Sequence, residues 1–185
     1  IASAGGAASD FGLIPDDPKK TETAIRKALE DGHHAIVISG GVSAGDFDFV
    51  ETALAALDVT IHVTSVRVKP GAPFVFGTRG HTLVFGLPGN PVSAQVTFEL
   101  FVRPALLMMQ GARAFFRPML EATLQGSLTN RSSRKNYLPG IATWEAGGLI
   151  VRPIRTQGSG DIVAHSLANA LAVLEPGTAR VGPGD

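Results

Sequence analysis

The sequence predicts an α/β protein: a three-layer α/β domain with a mainly parallel sheet over residues 1–112, then a small β domain over residues 113–185. Three observations lead there. Up to Gly111, short continuous apolar runs alternate with stretches at helical spacing, the pattern of a layered α/β domain. Loops rich in glycine and proline follow the apolar runs, at Gly40–Asp48, Lys69–Pro73 and Gly86–Ser93, where open α/β sheets bind ligands outside the carboxyl ends of their strands. After Ala112–Pro118 the pattern changes to short β-like runs divided by polar turns, with no long amphipathic helix.

The elements follow in order. Asp17-Pro18 is a helix start, with Asp as N-cap and Pro at the first helical position. Ala24, Ile25, Ala28 and Leu29 keep one apolar face, and Gly32 closes the helix. Ala35–Ser39 is a continuous apolar run, as expected of a strand covered on both faces. Val50, Ala53, Leu54 and Leu57 return to helical spacing. Val59–Val68 alternates and then shifts phase at Val66 and Val68, the sign of a bulge or bend. Phe74–Phe76 and Leu83–Phe85 are further strands. Asn90-Pro91 repeats the cap-plus-proline start, Val92, Val96 and Leu100 extend that helix, and Pro104 is expected to kink or end it. In the second domain, β runs are expected over Leu120–Leu128, Tyr137–Thr143 and Leu149–Ile154. The first residue is not methionine and the closing Gly-Pro-Gly-Asp is a turn that should lead into another strand, so the chain reads as part of a longer polypeptide.

Composition narrows the function. A hydrophobic fraction of 44% supports a substantial core. Sixteen basic and sixteen acidic residues balance, leaving no basic surface for nucleic acid or an anionic membrane. With no cysteine there is neither a disulfide nor a thiolate metal site. No apolar run reaches the length of about 18 residues that a membrane helix needs. The five histidines lack metal-ligand spacing, and His33-His34 reads as a surface turn.

The loops carry the chemistry. Gly40, Gly41 and Gly45 fall within six residues, between a buried strand and a helix, and backbone N–H groups at such a helix start form an anion cradle. Ser43 adds a hydroxyl donor. Asp46 and Asp48 could both be caps; one suffices, which leaves Asp48 for a ligand. The Gly86–Ser93 loop, through Pro88, Gly89, Asn90 and Ser93, opens onto a helix in the same way. Exposed lysines are ordinarily solvated, but Lys69 is held between a β run and a proline turn beside an anion loop, which suits an anion contact. Asp16 stands beside the capping Asp17, and paired with Asp48 it could hold Mg²⁺, an ion often bound by one or two carboxylates plus substrate phosphate. Arg134-Lys135 and Gln157–Asp161 are polar clusters that, read alone, are solvated loops.

Three segments together, Gly40–Val50 (GGVSAGDFDFV), Lys69–Gly77 (KPGAPFVFG) and Gly86–Ala94 (GLPGNPVSA), resemble the molybdopterin molybdenumtransferases, the MoeA and gephyrin E-domain family. Gln157–Gly160 and Ala168–Leu171 resemble that family's C-terminal domain. The resemblance implies a molybdopterin-binding α/β domain followed by a small β-barrel, and an enzyme of molybdenum-cofactor biosynthesis. Such an enzyme takes adenylated molybdopterin and molybdate, releases AMP with Mg²⁺, and leaves molybdenum on the dithiolene. Asp16 and Asp48 would then stand at the metal, Asp48, Asp16 and Lys69 at the reacting groups, and Gly40–Gly45 with Ser43 around the pterin phosphate. Lys69 and Ser93 would face the anionic substrates, and Arg134 and Ser159 would contact molybdate. A cytoplasmic homodimer, and contact with a molybdopterin adenylyltransferase, are further implications.

Three departures stand out. Ala72 replaces the second lysine of the common K-P-G-K-P, His34 replaces an acidic residue before the buried strand, and the family's front half, with its threonine-glycine-aspartate segment, is missing from this sequence. The alternatives are a molybdopterin adenylyltransferase, against which the β domain argues, and a non-catalytic scaffold, against which the presence of Asp16, Asp48, Lys69 and Ser93 argues.

Overall fold

Asp17 begins the first helix as expected: its backbone is extended, and its carboxylate accepts a hydrogen bond from the Lys20 N–H at 2.8 Å. The computed structural model describes residues 1–42, 49–156, 158 and 160–185. They form two units, Ile1–Val66 with Gly71–Phe116, and Arg67–Pro70 with Arg117–Asp185.

In the first unit, helix α1 (Pro18–Glu30) buries Ile25 and Ala28. Strand β1 (Ala35–Ser39) and helix α2 (Phe49–Ala56, burying Val50, Ala53 and Leu54) follow. Then come β2 (Thr60–Ser65), β4 (Pro73–Arg79) and β5 (Thr82–Leu87); the two-residue strand β3 (Val68–Lys69), between β2 and β4 in the chain, belongs to the second unit. The sheet runs β1-β5-β4-β2. Alternation along the strands divides its apolar side chains between two layers. Ile36, Val75 and Val84 join Ile25, Ala28, Leu54 and Leu57, whereas Phe74, Phe85 and Leu87 join Val102 and Leu106. Helices therefore cover both faces.

The sheet is mixed, which corrects the expectation of a mainly parallel one. Only β1 and β5 are parallel; β5–β4 and β4–β2 are antiparallel. The cause is local. Arg79 pairs with Thr82 across the two residues Gly80 and His81, and Gly80 has φ 58°. A two-residue connection can only return the chain antiparallel, and a parallel pair needs a long crossover. The phase shift expected at Val66 has a larger meaning than a bulge: β2 belongs to this sheet, while β3 pairs in parallel with a strand of the second unit. The ladder irregularities themselves lie between Ile61 and Ser65.

Pro104 does not end its helix. α3 (Pro91–Thr97) passes through a π-helical segment (Phe98–Val102) into α4 (Arg103–Met109). The Arg103 N–H reaches back five residues to the Phe98 carbonyl. That wider turn precedes a proline with no N–H to contribute, and it eases the ring's conflict with the turn before it. The resulting helix, Pro91–Met109, has 19 residues and mean hydropathy 1.2, so by length and composition it could cross a membrane, contrary to the expectation that no segment reaches that length. Its apolar character has a place in the fold, because Val92, Val96, Thr97 and Val102 are each at most 1% exposed.

In the second unit the strands are β6 (Thr123–Leu124), β7 (Lys135–Glu145), β8 (Gly148–Pro153) and β9 (Ala170–Leu174), with a short helix α5 (Ile162–Ser166) capped by Asp161. The order is β3-β7-β8-β6, with β9 also on β7. Among the described residues this five-stranded sheet is open, whereas the resemblance implied a barrel. Both β3 and β6 contribute only two residues, too little ladder to close a cylinder. The run expected over Leu120–Leu128 shrinks to β6 and a single bridge from Leu128 to Val181.

Candidate functional site

Two of the glycine loops meet at the carboxyl ends of β1 and β5. The parallel register ends on Ser39 and Leu87. Just beyond it, the Gly40 N–H donates to the Leu87 carbonyl at 2.9 Å, and the Ser39 hydroxyl donates to the Pro88 carbonyl at 3.4 Å. Gly40 has φ 94°, and a Cβ placed on Gly89 would sit 3.4 Å from the Gly40 Cα. Two backbones approach here with no side chain between them, the arrangement that lets a ligand lie close to main-chain groups. Pro88 is buried below the crossing, Gly89 is exposed and Asn90 is half-buried.

The helix start beside this crossing is less open than the sequence suggests. Asn90 Oδ1 accepts from the N–H groups of Val92 at 3.1 Å and Ser93 at 3.3 Å, and Pro91 has no N–H. The donors expected to meet an anion at α3 are therefore satisfied within the chain, because Asn90 is a stronger cap than an open loop needs. Ser93 is 6% exposed, its hydroxyl directed to Asn90 Oδ1 at 3.5 Å. It supports the loop from beneath. Gly71, with φ 106°, lies against the same helix: a Cβ there would come within 2.5 Å of Thr97 Cγ2 and 3.3 Å of the Ser93 carbonyl.

Asp16 is exposed, immediately before the cap of α1. The turn at Asp31–His34 reverses the chain between α1 and β1, which share one core layer. The start of α1 and the end of β1 thus lie toward the same end of that layer. Ser43, Gly45 and Asp48 lie outside the described residues, as does Ser159; Gly41, described, has φ 68° and is exposed. Among the described residues no group of three His, Asp or Glu side chains is placed to hold a metal.

The second unit gathers the basic candidates. Strand β3 pairs with β7 so that Val68 meets Lys135 and Lys69 meets Asn136, which puts Lys69 beside the segment carrying Arg134. Lys69 is exposed and Arg134 half-buried. Two neighbouring cations are engaged: Arg67 donates to the Ser133 carbonyl at 2.9 Å, and Lys135 Nζ stands 2.7 Å from Glu175. That carboxylate holds the Lys135 ammonium above its ordinary pKa. Sequence reasoning missed Asn130, which is 2% exposed and fixes this segment. Its amide donates to the carbonyls of Arg134, Leu174 and Glu175, while its oxygen accepts from the Ser132 hydroxyl. The Asn-Arg-Ser-Ser spelling, typical of side-chain-stabilised turns, was the available signal. On α5, His165 is 9% exposed and burial lowers its pKa.

A cavity of about 630 Å³ lies elsewhere, along the amino half of β1 between Gly5, Ala35–Val37, Leu106 and Gln110. None of the candidate residues lines it. Its polar lining, Ser9, His33, His34 and Gln110, includes no carboxylate, lysine or arginine.

Two family models match the chain. The family described as "Probable molybdopterin binding domain" matches residues 1–108, and "MoeA C-terminal region (domain IV)" matches residues 121–185. A molybdopterin molybdenumtransferase of Nostoc sp. is 32% identical over 94% of this chain and 41% of its own length. One from Staphylococcus epidermidis is 31% identical over 88% of this chain and 39% of its own. The chain thus spans about two fifths of these curated relatives. Among solved structures, the molybdopterin biosynthesis moeA protein of Pyrococcus horikoshii superposes with TM-score 0.75 at 26% identity, over 94% of this chain and 41% of that one. A molybdenum cofactor biosynthesis protein of Pyrococcus furiosus shares the fold, with TM-score 0.72 at 22% identity over 95% of this chain and 55% of that one. The chain belongs to the molybdopterin-binding-domain family and carries the MoeA C-terminal region behind that domain.

Proposed function

We propose that this chain acts in molybdenum-cofactor biosynthesis, as part of a molybdopterin molybdenumtransferase that inserts molybdate into adenylated molybdopterin and releases AMP. The observation that carries the proposal is the crossing of Gly40 and Gly89 beyond two parallel strands, where main chain lies open to a flat, phosphorylated ligand. In this reading Gly40, Gly41, Ser43, Gly45, Pro88, Gly89 and Asn90 line the pterin phosphate, with Ser93 bracing Asn90. In the second unit Lys69, Arg134 and Ser159 take the oxyanion. Lysine and arginine suit such charge, one as a point cation and the other as a planar fork.

Asp16 offers an exposed carboxylate, a hard oxygen ligand of the kind Mg²⁺ takes together with substrate phosphate. With Asp48 it would hold that ion. When bound, the ion neutralises charge on the phosphate as AMP leaves. Homodimer formation, contact with a molybdopterin adenylyltransferase and a cytoplasmic location belong to the same proposal and rest on the resemblance.

The test supplies the full-length protein that carries this chain with adenylated molybdopterin, Mg²⁺ and molybdate and follows AMP; the chain by itself is expected to be weak or inactive. Molybdate-dependent AMP release is expected. Adenylation of molybdopterin from ATP, with no such release, would instead assign the preceding step.

A further inference from the structure

Among the described residues, one buried side-chain polar atom has no hydrogen-bond partner: Oδ1 of Asn136. Asn136 is 5% exposed, in β7. Buried amide oxygens are nearly always paired, because an unpaired one keeps its full desolvation penalty. Something in the working state should meet it.

The position of Asn136 limits what that can be. One edge of β7 pairs Asn136 with Leu174 of β9, and the other pairs it with Lys69 of β3. Neighbouring strands stand about 4.8 Å apart, well within the span of a lysine side chain. Of the nearby cations, Arg67 is engaged with the Ser133 carbonyl and Lys135 with Glu175. Lys69 is exposed and makes no hydrogen bond or ion pair among the described residues. A buried acceptor without a donor thus sits at the ladder position paired with a free donor.

We propose that Asn136 is a positioning residue for Lys69: its amide oxygen accepts one N–H of the ammonium and holds the other two toward a tetrahedral oxyanion. This rests on Lys69 being an anion contact, as put forward above. An ammonium carries three donors and no acceptor, so one can be anchored while two bind ligand. Anchoring also reduces the rotamer freedom that a long exposed side chain would otherwise lose on binding.

The experiment compares the unmodified chain with Asn136→Leu and follows the side-chain ammonium ¹⁵N resonance of Lys69, assigned by its disappearance in Lys69→Arg. Molybdate is titrated into the same samples. Replacing an unpaired buried amide by an apolar side chain of similar size should leave the unfolding transition in place or raise it. The expected result is a shifted Lys69 resonance in Asn136→Leu and about tenfold weaker molybdate binding, the loss of one hydrogen bond to a charged group. The double variant Asn136→Leu/Lys69→Ala should bind no more weakly than Lys69→Ala alone. An unmoved Lys69 resonance, or a shift at Arg134 in its place, overturns the proposal, as do losses that multiply in the double variant. A shifted resonance in a chain that binds no molybdate would uphold the positioning role and overturn the functional reading.

Discussion

At the scale of single residues, two asparagines decide what the loops can offer. Asn90 holds the Val92 and Ser93 N–H groups that would otherwise face a ligand. Its replacement by alanine should cost about 1 kcal/mol of stability, read as a lower denaturation midpoint with unchanged slope. Asn130 has a heavier structural duty, since the two N–H groups of its amide are shared among three carbonyls in a buried turn. Asn130→Ala should cost about 3 kcal/mol, because those carbonyls lose their donor without gaining water. Comparing the two unfolding curves checks both figures. Asp48 belongs to the chemistry in the proposed reading, so Asp48→Ala should lower molybdate-dependent AMP release about 10²-fold and leave the unfolding transition in place. Equal turnover would remove Asp48 from the site.

At the scale of elements, what the sequence revealed and what it hid have separate physical causes. Both cap-plus-proline starts were legible, because Asp17 and Asn90 act through hydrogen bonds only two or three residues away. The strand directions were not. Parallel or antiparallel pairing depends on how the chain returns, and at Arg79–Thr82 one glycine-containing turn decided it. The passage through Pro104 was hidden for a similar reason, since a widened turn leaves no periodic mark in the sequence. In the site, the glycine loops were legible from their spelling, but the pairing of Lys69 with β7 was not, because two residues of ladder carry no pattern. Helix α5 adds a pH dependence. Burial places the His165 pKa below its ordinary 6.5, so the unfolded chain binds the extra proton more readily than the folded one. Stability from this group is complete above pH 6.5 and is lost as pH falls through the lower folded value. Urea midpoints at pH 7.5 and 5 should therefore differ less in His165→Gln than in the unmodified chain.

At the scale of the molecule, the chain is two units with distinct chemical endowments. The first crosses two glycine loops at the ends of β1 and β5, and the second gathers Lys69, Arg134 and Asn136 around the start of β7. The crossing is the element on which the proposed function depends. Gly89 has no positive φ, so a valine there meets no backbone strain; its methyls would instead fill the space above Gly40. The decisive measurement is a titration of adenylated molybdopterin into the unmodified chain and into Gly89→Val, with the unfolding transition of each recorded alongside. Binding to the unmodified chain should weaken at least about tenfold in a fully folded Gly89→Val. Equal affinity in the two chains, or no binding to the unmodified one, would contradict it.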